Sequence, residues 1–109
     1  MAVTCFIRYR IDMHRADAFA EYAQIWGQVI PRCGADLIGY FAPHEGSAST
    51  AYGVYTVESL AAYEAYRTRL LGDPDGRANF DFAARERFIL EEERIFLTLA
   101  SAPHGGRIG

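Results

Sequence analysis

The fold is decided by residues 32–46, Arg-Cys-Gly-Ala-Asp-Leu-Ile-Gly-Tyr-Phe-Ala-Pro-His-Glu-Gly. Gly34 can adopt the left-handed conformation that ends a helix, so the residues before it are expected to be helical. The apolar run over residues 36–41 predicts a short strand. A turn rich in polar residues follows. This order places His44 and Glu45 in a loop at the end of a strand.

Upstream of this segment, the sequence predicts a strand and a long helix. Side chains alternate with period two over residues 4–11, which is typical of a strand. One of its faces is apolar, and the other is mixed and carries Phe6, Arg8 and Arg10. A helix over about residues 15–33 is predicted because apolar residues recur at three- and four-residue steps. Asp12 is its expected N-cap.

Downstream, strands and helices continue to alternate. The predicted elements are a strand over 51–57 that forms a hairpin with 36–41, a helix over 60–71 capped by Ser59, a helix over about 77–88 after a break at 72–76, and a strand over 91–99. We expect residues 4–99 to form one domain and residues 100–109 to form a loose tail.

This order is βαββαβ with an extra helical segment before the last strand, which is the ferredoxin-like topology of an α+β fold. In this topology the helices cover one face of a four-stranded antiparallel sheet. The strands here are apolar on both faces, as Phe6 beside Ile7 and Phe96 beside Ile95 illustrate. Because no other segment remains to cover the second face, we expect it to pack against a second copy of the chain, giving a homodimer.

The composition of the chain limits the classes of binding partner that we expect. The net charge is -3 over 109 residues, which argues against nucleic acid and anionic membranes as partners, since both attract basic surfaces. The sequence shows neither a signal peptide nor a membrane span, and we expect a cytoplasmic location. Cys5 and Cys33 lack the spacing of zinc or redox sites, so we expect two buried thiols and no metal.

Four short motifs keep a common order and spacing, namely Phe6-Ile7-Arg8, Leu37-Ile38-Gly39-Tyr40-Phe41, Ser59-Leu60-Ala61-Ala62-Tyr63 and Asp73-Pro74. Together they resemble the NIPSNAP family over about residues 4–97. The chain departs from that family at Gly76, where many members carry a tryptophan. The resemblance implies a dimeric α+β barrel, in which two ferredoxin-like chains appose their sheets and keep their helices outside.

The resemblance implies no single reaction. The wider group of barrels includes cofactor-free monooxygenases of polyketide quinones, muconolactone-type isomerases and haem-binding enzymes, and a shared fold does not choose among them. A haem would need an axial ligand on a helix that faces the cavity, and no histidine is predicted at such a place. We therefore expect no cofactor.

His44 is the first candidate for catalysis. An imidazole titrates near neutral pH, and the neighbouring Glu45 could fix its orientation for proton transfer. Adjacent residues of an extended segment point to opposite sides, however. The alternative is a solvated loop without a role.

Arg8 and Arg10 are the second candidates. Two residues apart on one strand face, they lie about 7 Å from each other. They could clamp a carboxylate or an enolate oxygen, or they could form structural ion pairs with Glu91, Glu92 or Glu93. Arg8 is preferred as a catalytic residue because it falls at the arginine position of the family's first strand.

Tyr40, Tyr52, Tyr55 and Trp26 are aromatic residues with polar tips, and of these Tyr40, Tyr52 and Trp26 are the candidates for substrate binding. They could stack on a flat ligand and hydrogen-bond to it, or simply pack in the core.

These candidate residues lead to two hypotheses about the function of the protein. One is a cofactor-independent enzyme for a small aromatic or enolisable molecule, with Arg8 and a tyrosine holding an oxyanion and His44 moving a proton. The other is a non-catalytic module that binds a ligand or another protein.

Overall fold

The computed structural model describes residues 1–103. Within them the elements are β1 (Val3–Ile11), α1 (Ala16–Arg32), β2 (Asp36–Phe41), β3 (Thr50–Val57), α2 (Leu60–Gly72), α3 (Pro74–Glu86) and β4 (Ile89–Leu97). The predicted α+β order is confirmed, including the extra helix before the last strand. Most of the predicted tail, at residues 104–109, lies outside the described residues.

Helix α1 follows its predicted pattern. Its buried side chains are Ala18, Phe19, Tyr22, Trp26, Val29 and Ile30. Gly34 ends it with φ 104°, as predicted. Asp12 caps a 3-10 turn at Met13–Arg15 rather than the helix itself, because its carboxylate accepts a hydrogen bond from the backbone N–H of His14 at 2.9 Å.

The junction between α2 and α3 is tighter than predicted. The expected break over 72–76 shrinks to Asp73, and α3 starts at Pro74 rather than near residue 77. Asp73 accepts hydrogen bonds from the backbone N–H groups of Asp75 and Gly76, each at 3.0 Å. Proline fits the first position of a helix because its missing N–H would be unpaired there in any case. The Asp-Pro pair therefore begins a helix as soon as the previous one ends.

Asp73 also ties α1 to this junction. The Arg32 guanidinium donates to both carboxylate oxygens of Asp73, at 2.9 and 2.8 Å, and to Asp75 at 3.0 Å. These bonds from Arg32, with the backbone N–H of Gly76, hold the pKa of Asp73 at about 2. The charged form of Asp73 is therefore the one that stabilises the folded protein.

The Asp73 network should make stability fall in acid. Because unfolded Asp73 takes up its proton near pH 4 and folded Asp73 near pH 2, the unfolded state binds more protons between these values, and the free energy of unfolding falls as the pH falls. Asp73→Asn should flatten this part of the pH dependence, measured by urea unfolding at several pH values. Asp81→Asn, an exposed change on α3, is the control. A slope in Asp73→Asn equal to that of the wild type would contradict the prediction.

The four strands form one antiparallel sheet in the order β2-β3-β1-β4. One side, the helix face, carries Cys5, Ile7, Tyr9 and Ile11 of β1 and packs on the helices to form the core. Both cysteines are free and buried, as predicted. No helix within the described residues is long and apolar enough to cross a membrane.

The other side of the sheet, the open face, is not covered by any element of the described chain. Strand register places on it Phe6, Arg8, Arg10, Phe41, Tyr52, Val54, Glu91, Glu93, Ile95 and Leu97. Phe41, Ile95 and Leu97 are 52%, 44% and 48% exposed. Phe96 is opposite Cys5 and so belongs to the helix face, where its ring packs edge-on against Tyr63 at 4.7 Å. In β4, Ile95 therefore lies on the open face and Phe96 on the helix face.

Candidate functional site

A cavity of about 230 Å³ lies between the helix face of the sheet and the helices. Seven aromatic side chains line it, namely Tyr9, Tyr22, Trp26, Tyr40, Tyr55, Tyr66 and Phe80. Aromatic side chains with a few polar tips are the kind of lining that sites for small organic molecules have.

The wall is assembled from helix and strand periodicity. Tyr22 and Trp26 are four residues apart on α1, hence on one face, and their ring centroids lie 5.6 Å apart. Tyr9 of β1 and Tyr40 of β2 reach each other over β3, with their hydroxyl oxygens 3.1 Å apart. This contact depends on Gly53, since a Cβ there would lie 2.7 Å from the Tyr40 ring.

A charged pair completes the wall. Glu92 and Arg94 of β4 are opposite Tyr9 and Ile7, and both line the cavity. One guanidinium nitrogen of Arg94 donates to Glu92 at 3.1 Å, with the side chains 27% and 36% exposed. Burial works against the charge on Arg94, but the Glu92 carboxylate has the opposite effect, and the pKa of Arg94 is raised. Arg94 is therefore a permanent cation at the cavity.

Two donors at the cavity have no acceptor in residues 1–103. They are Nε1 of Trp26 and Nε of Arg94, both buried. The Trp26 indole lies near the Tyr22 hydroxyl and lowers its pKa against the larger, raising effect of burial, yet no hydrogen bond of acceptable geometry forms. A buried donor left unpaired costs about 1–3 kcal/mol, so these two groups are sites where a ligand atom would be stabilised.

The tyrosines of the wall are neutral. Burial raises the pKa of Tyr9, Tyr22, Tyr40, Tyr55 and Tyr66. Their hydroxyls therefore stay protonated at neutral pH and can donate hydrogen bonds. In the described part of the chain, no cluster of His, Cys, Asp or Glu side chains is arranged to hold a metal ion.

The structure divides the predicted site residues among three places. Trp26 and Tyr40 line the cavity. Arg8, Arg10 and Tyr52 lie on the open face, on the opposite side of the sheet. Arg8 is 3.9 Å from Glu93, and Arg10 is 3.4 Å from Glu91, which matches the ion-pair alternative.

His44 lies in the exposed loop between β2 and β3, beside Glu45. Arg8, Tyr40 and His44 are therefore not brought together within one protomer. From the sequence, Glu92 was considered only as an ion-pair partner of the β1 arginines. Arg94 was not predicted as a site residue. A usable signal existed, because Arg94 is two residues from the apolar Phe96 and so shares its strand face.

The sequence pattern of the NIPSNAP family matches residues 4–103. A search of curated proteins finds no match. Among solved structures, Atu4242 of Agrobacterium tumefaciens, described as a NIPSNAP family protein with unknown function, aligns with a TM-score of 0.78 at 19% identity, over 90% of this chain and 93% of its own.

Two further structures share the fold. A dimeric ferredoxin-like protein of unknown function from Thermobifida fusca aligns with a TM-score of 0.63 at 17% identity, over 91% of this chain and 92% of its own. A variant of SnoaB, a cofactor-independent oxygenase from Streptomyces nogalater, aligns with a TM-score of 0.56 at 13% identity, over 93% and 95%. These likenesses show the fold alone. The family match covers nearly the whole described chain, and the protein belongs to the NIPSNAP family.

Proposed function

We propose that the cavity between sheet and helices binds a small aromatic or enolisable molecule and that the protein acts on it without a cofactor. The observation that carries this proposal is the aromatic wall, built from rings of α1 and of three strands and joined by the Glu92–Arg94 pair. Rings suit a flat ligand, and the neutral tyrosine hydroxyls can orient it. The cofactor-independent oxygenase of the same fold supports the reaction class as an analogy.

The chemistry that suits this wall is proton abstraction next to a carbonyl group. The Glu92 carboxylate would take the proton from the substrate carbon, and the electron pair of the broken C–H bond would move to the carbonyl oxygen. Arg94 and the tyrosine hydroxyls would stabilise the enolate so formed. The predicted roles of Arg8 as an oxyanion clamp and of His44 as a proton carrier stay predictions for residues outside this cavity.

A non-catalytic binding module is the second candidate. The carboxylate that lines the cavity, Glu92, is held by Arg94 at 3.1 Å, and a paired carboxylate is a weak base. Neither His14 nor His44 lines this cavity. These observations fit a protein that holds a small molecule without changing it.

Deuterium uptake separates the two candidates. Phenylacetone, an aromatic and enolisable ketone, would be incubated with the protein in D₂O, and exchange of its methylene protons followed by NMR. We expect Glu92→Gln to slow the exchange by about a hundredfold or more. Glu93→Gln changes the next carboxylate, on the open face, and is the matched control. Binding without exchange supports the second candidate, and exchange that Glu92→Gln leaves unchanged contradicts the first.

We further propose that the chain forms a homodimer through the open face. Exposed apolar side chains cover one part of this face, and the Arg8–Glu93 and Arg10–Glu91 pairs cover another. The face is therefore largely neutral, as a surface to be buried must be. The Thermobifida fusca protein of the same fold is described as dimeric.

A further inference from the structure

Trp26 points to the chemistry of the ligand. It is the one tryptophan of the sequence, it is 2% exposed, and it lines the cavity. An indole N–H can only donate, and within residues 1–103 this one has no acceptor. Water would satisfy it, but so would an oxygen of the ligand.

Arg94, on strand β4 in the sheet side of the cavity, offers the same chemistry. One nitrogen of its guanidinium is used by Glu92, whereas its buried Nε–H has no acceptor among the described residues. Both side chains line the same cavity, and the Tyr22 ring in its wall lies 5.6 Å from the Trp26 ring. The two unpaired donors therefore belong to one site.

Two buried donors at this site lack an acceptor within residues 1–103. The five tyrosine hydroxyls are protonated, two of them bond each other, and the Glu92 carboxylate is already bound to Arg94. A ligand that brings only donors would leave both buried N–H groups unpaired. A ligand that brings an oxygen with negative charge would satisfy both and gain charge-assisted bonds.

On the basis of the proposed function, we infer that the cavity selects aromatic molecules that carry an anionic oxygen, such as a carboxylate, and that the Nε1–H of Trp26 and the Nε–H of Arg94 bind this oxygen. The aromatic wall sets the shape of the ligand, and these two donors set its charge. The neutral amide of the same shape is then a poor ligand.

Phenylacetate and phenylacetamide test the inference, because they differ in charge and hardly in shape. Their dissociation constants would be measured by calorimetry on the full chain. In parallel, the indole N–H of Trp26 gives one signal in a ¹⁵N–¹H NMR spectrum and reports binding at this site. We expect phenylacetate to bind at least about tenfold more tightly than phenylacetamide and to shift the indole proton downfield.

Arg94→Gln and Trp26→Phe should each reduce this preference to less than about threefold. Trp26→Phe keeps a ring in the wall and so serves if Arg94→Gln fails to fold. Arg77→Gln, the same change at an exposed arginine of α3 outside the cavity, should keep the wild-type preference.

Equal affinity for the two probes would overturn the inference and leave the binding function standing. A preference for phenylacetate that survives in both variants would overturn it as well, since the charge would then be recognised elsewhere. Failure of both probes to bind or to shift the Trp26 signal would contradict the inference and the proposed function together.

Discussion

Ile95→Glu is expected to weaken self-association at least about a hundredfold and to give a folded monomer. Ile95 is 44% exposed in the protomer, so the fold does not depend on it. It is opposite Phe6 on the open face, and a homodimer through this face would bury two of the new charges without partners. Sedimentation velocity over a range of concentrations measures the effect.

Two control substitutions separate association from folding. Phe96→Glu changes the next residue along the chain, but it faces the helices and contacts Tyr63. We therefore expect it to lower the free energy of unfolding by about 3 kcal/mol, seen by urea unfolding. Leu60→Glu adds the same charge at a leucine that is 57% exposed on α2 and should remain dimeric. A folded Ile95→Glu dimer of wild-type affinity would contradict the proposed interface.

The second large effect is expected from Gly53→Ala, which should destabilise the protein by about 1–3 kcal/mol. The added Cβ would lie 2.7 Å from Cζ of Tyr40. The Tyr40 ring cannot retreat freely, because it packs near Tyr9 and Phe19 at centroid distances of 6.0 and 6.2 Å. The ring would move and its hydroxyl would leave Tyr9, which changes the shape of the cavity. Urea unfolding gives the free energy.

A double-mutant cycle tests the cause. Tyr40→Ala removes the ring, so Gly53→Ala added to it should cost less than it does alone. Gly27→Ala is the matched control, because nothing lies within 4 Å of the added Cβ in the exposed helix position. It should stabilise the protein by about 0.5–1 kcal/mol. Equal costs of Gly53→Ala in both backgrounds would show that the ring is not the obstacle.

Local sequence patterns were enough to predict most of the fold. Period two in β1 assigned Ile7 and Arg8 to opposite faces, and Gly34 marked the end of α1. The limits of α3 were wrong because Asp73 and Pro74 were interpreted as a break, whereas together they form the cap and first residue of a helix. Asp and Pro occur both at chain breaks and at helix starts. Only the three-dimensional structure shows that the Asp73 carboxylate accepts hydrogen bonds from the first turn of α3.

The candidate site was harder to predict, because its charged residues depend on strand pairing. Trp26 and Tyr40 were selected as aromatic residues with polar tips, and they line the cavity. Arg94 follows Glu91, Glu92 and Glu93, and such a run suggests an exposed surface. Its place at the cavity follows from its register opposite Ile7, a pairing between residues far apart in the sequence. Periodicity assigns Arg94 to the strand face of Phe96, but it does not show which strand that face lies beside.

The position of β4 has a consequence for solubility during folding. β4 is an edge strand of the sheet, so one row of its backbone N–H and C=O groups is available to another strand. Its middle carries three consecutive glutamates, 91–93, and a second β4 laid alongside would bring like charges together. Charges on an edge oppose the growth of a sheet from chain to chain. We therefore expect the same short run that lines the cavity with Glu92 to oppose such aggregation as well.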